Sequence, residues 1–259
     1  LLKRILKERQ QRWEQQQLEQ FQAKGKPPKN DKWKEKYKEP ENVVIQDVPA
    51  IPNEWVYVRL DVLTEINGGL TVDSKRGIEN TTELPYLRVA NVQRGYLDLK
   101  QMKNIRIPSD RVNQLLLKEG DVLFTEGGDR DKLGRGWVWK NEIEKCSFQN
   151  HIFRARPVLS ELNSEFISFF GNTFGQEYFI KQGKQTTNLA SINKTKLSAF
   201  PVPLCSIREQ QEIILILDEK LIAADRLMTE LDTKLTQAQQ QKQTILASAF
   251  KGELVKGVM

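Results

Sequence analysis

Between residues 206 and 250 the chain repeats small and apolar side chains at alternating steps of three and four: Ile214, Leu217, Leu221, Ala224, Met228, Leu231, Leu235, Ala238, Lys242, Ile245 and Ala249. That spacing is the a/d seam of a heptad coiled coil. Nothing between Glu209 and Lys251 is Gly or Pro, so no residue breaks the helix. Ser206 with Glu209 three residues on makes a capping box; Pro201 and Pro203 stand just before it, and Gly252 is a suitable stop. At about 1.5 Å per residue the rod is roughly 60 Å long. Its seam is thin at Ala224 and Ala238 and polar at Lys242, as suits a helix meant for another helix. The plainer alternative is a long helix packed on its own domain.

Residues 1–22 offer one partner within the chain. Leu2, Ile5, Leu6, Trp13 and Leu18 form a narrow apolar face among charged residues, marginal as a lone helix in water and sensible against the rod. Residues 23–52 read as a linker: Lys26-Pro27-Pro28 ends the helix, and Pro40, Pro49 and Pro52 keep the rest extended. Trp33 and Tyr37 among the lysines of 32–38 either tack the linker to a neighbouring surface or grip a nucleic-acid backbone.

Residues 53–205 form a mixed domain, with strands expected at 86–92, 121–125, 136–140, 147–156 and 199–204. Helices are expected at 109–117 and 163–182. In the second, Phe166, Ile167, Phe170, Phe174, Tyr178 and Phe179 recur at helical spacing as a core stripe, and Gly171 and Gly175 are places for it to bend or split. The fold class is therefore α+β: a globular mixed domain, then a long coiled-coil helix over 206–252, with a short N-terminal helix.

The net charge of +6 permits nucleic-acid binding without demanding it. Residues 1–52 carry 12 basic and 8 acidic side chains, 53–205 carry 21 and 18, and 206–259 carry 7 and 8, so the basic excess lies outside the rod. No apolar run approaches the roughly 20 residues that span a bilayer, and the isolated Cys146 and Cys205 fit reduced thiols in a cytoplasmic protein.

Catalysis should leave a cluster of proton-exchanging or metal-holding groups. The lone histidine, His151, has no Cys/His pair to complete a metal site and reads as structural or as a DNA contact. Gly183-Lys184 lacks the earlier glycine of a phosphate loop, since Tyr178 stands in its place. Gly127-Gly128 and Gly134-x-Gly136 precede no helix and are not a dinucleotide fingerprint. Asp73 and Asp98 each lack an identifiable acidic partner for a nuclease metal, so no catalytic residue and no metal ligand is assigned.

Three loops instead combine basic and amide side chains with turn residues. The first holds Arg88, Asn91, Gln93 and Arg94; the second, residues 127–135, holds Arg130, Lys132 and Arg135. The third, residues 181–196, holds Lys184, Gln185, Thr187, Asn188 and Lys194 and has no acidic residue. Arg reads guanine and Asn or Gln reads adenine in the major groove, while Lys and Thr hold phosphate and set the register. Asp129 and Asp131 weaken the second loop as a phosphate site, and for each loop taken alone a solvated turn is the favoured explanation.

Several stretches, in this order, resemble the second half of a specificity subunit from Type I restriction–modification enzymes. They are Pro85-Tyr86-Leu87-Arg88-Val89-Ala90-Asn91-Val92, Glu119-Gly120-Asp121-Val122-Leu123-Phe124-Thr125, Thr187-Asn188-Leu189-Ala190-Ser191-Ile192 and Phe200-Pro201-Val202-Pro203-Leu204. Glu209-Gln210-Gln211-Glu212-Ile213 then opens the rod and the stretch from Ile245 to Val255 closes it; these two are the most specific. The resemblance implies one target-recognition domain over 53–205 followed by a spacer helix, with residues 1–22 as the end of a central conserved region. A full subunit of the family repeats this unit in tandem, so the chain is expected to begin where a first repeat finishes.

It further implies a non-catalytic protein that reads one part of a bipartite site on double-stranded DNA, the helix setting the gap between half-sites. The expected partners are methylation subunits, a restriction (motor) subunit and a second copy of the chain as a homodimer, with no membrane. S-adenosylmethionine belongs to the methylation subunits, and this chain binds no cofactor. The seam side chains expected to pack are Ile214, Leu217, Leu221, Met228, Leu231, Leu235 and Ile245. The alternatives are a coiled-coil dimerisation scaffold without DNA specificity and a metal-dependent endonuclease using Asp73 or Asp98.

Overall fold

The structure, a computed structural model, describes every residue except 29, 47, 74–76, 78, 129–131, 183, 186–189 and 256–259, and the backbone alone at 128, 184, 185, 190 and 255. Two compact units result, Leu1–Gln211 and Glu212–Met259.

In the first unit, α1 (Leu2–Ala23) runs into a 3-10 turn at Asp31–Lys36, capped by the Asn30 side chain accepting from Lys32 N. The narrow apolar face of α1 is covered by the globular core, where Ile5 is completely buried. The linker aromatics pack on the same helix. Trp33 is buried against Trp13 (ring centroids 5.8 Å apart, stacked) and Phe21 (5.8 Å, edge-on), and Tyr37 lies 5.5 Å from Trp13. Trp33 therefore has no face left for a nucleic-acid base.

Among the described residues the strands form four small sheets. The β1 strand (Val56–Arg59) pairs antiparallel with β11 (Pro201–Leu204). Pro201 and Pro203 alternate with Val202 and Leu204, so their missing N–H groups fall on the unpaired side of β11, where proline is tolerated. After the single turn α2 (Leu60–Leu63), β2 (Thr64–Gly68) joins the central sheet β2-β8-β5, with β8 at Ile152–Pro157 and β5 at Val122–Thr125. A third sheet, β4-β3-β7, sets β3 (Thr81–Leu87) antiparallel to β4 (Lys103–Pro108) and parallel to β7 (Ser147–Phe148). The fourth is β6-β10-β9, made of β6 (Gly127–Gly128), β10 (Ala190–Ser191) and β9 (Lys184–Gln185).

The helices α3 (Val112–Leu115), α4 (Ser164–Thr173), α5 (Gly175–Gln182) and α6 (Lys194–Ser198) complete the unit. The expected helix over 163–182 is split at Phe174. Gly175 opens α5, where an added Cβ would lie 2.9 Å from the Phe179 ring and 3.2 Å from the Phe200 ring, so a glycine there allows close packing. The aromatic stripe packs in the core except at Phe174, which is exposed; Phe179 lies tilted against Phe200 (4.9 Å) and Tyr178 5.1 Å from the same ring.

The Glu119-Gly120-Asp121 turn has a specific cause. Gly120 sits at φ +83°, where a side chain is strained, and its N–H donates to Trp139 O. That turn drives Asp121 into the interior, fully buried, where its carboxylate accepts from Arg156 Nε (2.7 Å), Arg156 Nη2 (2.8 Å) and Lys118 N (2.7 Å).

The long helix α7 (Ile207–Phe250) begins as the capping box requires: Ser206 N donates to Glu209 Oε2 (2.9 Å), and Glu209 N donates to Ser206 Oγ (3.2 Å). Gln210, 2 % exposed, donates from Nε2 to Cys205 O and accepts at Oε1 from Asn163 N. The second unit carries 212–250 of this helix and a 3-10 turn at Glu253–Val255 after Gly252, which stands at φ +72°. Of the seam residues Ile214 is buried and Leu217 half-buried, while Leu221, Met228, Leu231, Leu235 and Ile245 are 45–62 % exposed. No helix among the described residues is long and apolar enough to cross a membrane.

Candidate nucleic-acid interface

Main-chain bonds bring the three loops together. The second and third are joined by β6 and β10, with Ala190 opposite Gly128 and Ser191 opposite Gly127, and β9 pairs on the far side of β10. The closing half of the second loop is held by buried Thr125. Its N–H donates to Arg135 O (2.9 Å), its hydroxyl donates to Lys132 O (2.7 Å), and its carbonyl accepts from Gly134 N (3.2 Å).

The first loop reaches the second at Gly136. Gly95 N donates to Gly136 O (3.1 Å), and Arg135 Nη2 donates to Val89 O (3.2 Å). Asn172 on α4 works as a clip: its Nδ2 donates to Gly136 O (2.7 Å), its Oδ1 accepts from Gly136 N (3.1 Å), and its backbone O accepts from Arg94 Nη1 (2.6 Å). Only glycine fits at 136, because a Cβ there would lie 1.6 Å from Leu123 O.

The side chains singled out from sequence divide by what they touch. Asn91 is 2 % exposed; its Oδ1 accepts from Arg88 N and its Nδ2 donates to Asp98 O and Gln101 O. Its amide is spent inside the first loop, so it shapes the surface instead of lining it. Arg88 donates from Nη2 to Gln101 O (2.7 Å), and Arg88, Arg94, Lys132 and Arg135 are all half-buried. Arg130, Thr187 and Asn188 lie outside the described residues, and for Lys184 and Gln185 the backbone alone is described.

Lys194 is placed elsewhere. It stands exposed on the first turn of α6, whose N-cap Asn193 accepts from Lys196 N, and it lines a cleft of about 570 Å³ shared with Arg9, Arg12, Lys36, Lys38 and Trp13. The carboxylates in that cleft are paired, Asp61 with Arg59 and Glu65 with Arg12. Asp98, considered as a metal ligand, closes a turn by accepting from Lys100 N. No group of three His, Cys, Asp or Glu among the described residues is arranged to hold a metal.

Sequence reasoning does not single out Thr125, Asn172 or Glu126, and it reads His151 as structural or as a DNA contact without its partner. Thr and Asn carry no sign of a long-range clip in a single sequence; Gly136, which demands a close approach, was the available hint.

Comparison with known proteins gives this geometry a family. The chain is 31% identical to the EcoDI specificity subunit of Type I restriction enzyme from Escherichia coli, over 215 residues that make up 81% of this chain and 44% of that protein. It is 26% identical to the StySPI specificity subunit of Salmonella potsdam, over 72% of this chain and 42% of that one. The chain thus spans under half the length of these relatives. A solved chain concerned with complex assembly and conformational transition of the type I R-M system superposes with a TM-score of 0.56 at 22% identity, over 79% of this chain and 48% of that one, and shows the fold. The family model for the Type I restriction modification DNA specificity domain matches residues 52–237, and to that family the chain belongs.

Proposed function

We propose that this chain reads one half of a bipartite sequence on double-stranded DNA and performs no chemistry of its own. The observation that carries the reading is the joining of three Arg-, Lys- and amide-bearing loops into one surface through Gly136, Asn172 and the β6–β10 pair. Arg88, Arg94, Arg130, Lys132, Arg135, Lys184, Gln185, Thr187 and Asn188 supply the contacts to bases and phosphates, and Lys194 holds phosphate from the separate cleft it shares with Arg9, Arg12, Lys36 and Lys38. Asn91 holds its loop in shape.

The exposed stripe of α7 receives a second helix, either from a tandem repeat or from a second copy of the chain, and a fixed helix length fixes the gap between half-sites. The methylation subunits bring S-adenosylmethionine and adenine methylation; the restriction subunit adds the motor and nuclease. The nuclease alternative finds no support in Asp98, whose carboxylate closes a turn.

The test is duplex binding by the chain assembled with methylation subunits. The affinity should fall steeply with salt and exceed that for random sequence by about 10³-fold or more. Charge reversal at Arg88 or Lys184 should weaken it without unfolding the domain. An assembled complex that binds all duplexes equally would sink the reading.

A further inference from the structure

We propose that His151 reads a base edge and that Glu126 sets the chemical sense in which it does so. This rests on the DNA-reading function proposed above and adds a residue and a hydrogen-bond polarity to it.

His151 and Glu126 face one another just beyond the end of the β5–β8 ladder, whose last pair is Thr125 with Ile152. The backbone there is pinned from both sides: Glu126 N donates to His151 O (2.9 Å), and Ile192 N donates to Glu126 O (2.8 Å). Glu126 leads directly into β6, so the pair stands at the foot of the strands that join the second and third loops. The imidazole Nδ1 lies 2.6 Å from Glu126 Oε2, with the histidine side chain 60 % exposed and the glutamate 29 %.

An ion pair that exposed contributes little to stability, which leaves its place at the loop junction unexplained by folding. Its chemical consequence is specific. An ionised carboxylate only accepts, so Nδ1 carries a proton, and whenever the ring holds a single proton Nε2 is left as an acceptor. In the major groove an acceptor matches the exocyclic amino group of cytosine or adenine and opposes the carbonyl oxygens of guanine and thymine. Gly127 and Gly128 follow Glu126 without side chains to overhang the ring. His151 contacts the base, and Glu126 is a positioning residue.

Duplexes are selected from a randomised library by the chain assembled with methylation subunits, using wild type, His151→Ala and Glu126→Gln. Wild type should select an amino-bearing base at one position. His151→Ala should lose about tenfold preference there, with the rest of the motif and the salt slope unchanged. Glu126→Gln can donate to Nδ1 and move the ring proton to Nε2. It should shift the same position toward guanine or thymine, a change that a merely structural role does not produce.

If His151→Ala selects the wild-type motif, the proposal falls while the DNA-reading function stands. Uniform weakening with a salt slope reduced by about one makes His151 a phosphate contact and also overturns it. A wild-type complex that selects no motif removes both. Melting curves of the variants, expected to match wild type at so exposed a position, separate these outcomes from misfolding.

Discussion

Replacing Asn172 by Ala tests whether the first two loops are held as the geometry implies. The substitution removes two bonds to Gly136, each worth about 1 kcal/mol net. Gly136 O keeps its bond from Gly95 N, but Gly136 N loses its partner at a buried position, which costs about 1–3 kcal/mol. Because these two estimates overlap at the N–H, the expected loss is about 2–4 kcal/mol, a fall in Tm of about 6–12 °C for a unit of this size. Asn172→Asp is the sharper variant: it keeps an acceptor for Gly136 N but sets a second carboxylate oxygen against Gly136 O. It should cost at least as much as Ala. Urea titration and thermal melting measure the loss, and amide exchange locates it, with faster exchange at Gly95 and Gly136. A variant that melts within about 1 °C of wild type and keeps Gly136 protected would refute the clip.

Asp121→Ala leaves Arg156 without its carboxylate beside buried Arg154 and should cost about 3–5 kcal/mol by denaturant titration, toward the lower figure because Arg156 is partly exposed. Leu221→Asp with Leu231→Asp falls on exposed seam positions; the melting of the globular unit should not change, while sedimentation should show lost helix pairing. Burial pushes the Cys146 thiol up to about 12 and Cys205 up to about 11 from a starting value of 9.0. The unfolded thiols ionise first, so their contribution is complete below about pH 9. It declines as pH rises toward those folded values, by up to about 1.4 kcal/mol per pH unit per thiol. The folded protein should resist alkylation at pH 8 and react once unfolded; rapid native labelling of either cysteine would count against the packing around it.

Local signals carried most of the helical architecture. Ser206, Glu209 and Gly252 bound α7 within two residues because capping is decided by neighbours in sequence. Where long-range partners take the backbone, the sequence reading drifted. The expected helix over 109–117 is a 3-10 turn at Ser109–Arg111 followed by Val112–Leu115, and it stops short of 117 where Arg154, 40 residues away from Gln114, donates to the carbonyls of Gln114 and Leu116. The strand expected at 86–92 ends at Leu87, since Asn91 folds the chain into a turn, and its start moves back to Thr81, where β4 is available to pair. Residues 136–140 do run beside β5, with Trp139 N donating to Asp121 O and Leu123 N to Trp137 O, but only Val138 and Val122 form a bridge. The strand expected over 147–156 is interrupted by a turn at Gln149–His151, which Asn150 N fixes by donating to Leu70 O. α6 takes 194–198, so the last strand starts at Pro201.

For the candidate interface, side-chain chemistry was legible and its allocation was not. Arg, Asn and Gln are chosen by the same hydrogen-bonding capacity whether they bond a base or a backbone carbonyl, and a single sequence does not separate the two uses. Asn91 shows the difference, with its amide satisfied within its own loop. The links between loops, by contrast, combine main-chain bonds, Gly95 to Gly136 and the β6–β10 register, with the side chains of Arg94, Arg135 and Asn172. Such bonds do not depend on which side chain stands at 184, 185 or 190. On the proposed function, changing those residues should therefore alter what the surface recognises while leaving the loops where they are, whereas changing Gly136 or Asn172 should move the loops without touching the residues proposed to read. Substitutions at 184 or 185 should shift the selected motif at constant Tm, and Gly136→Ala should lower Tm and abolish selection together.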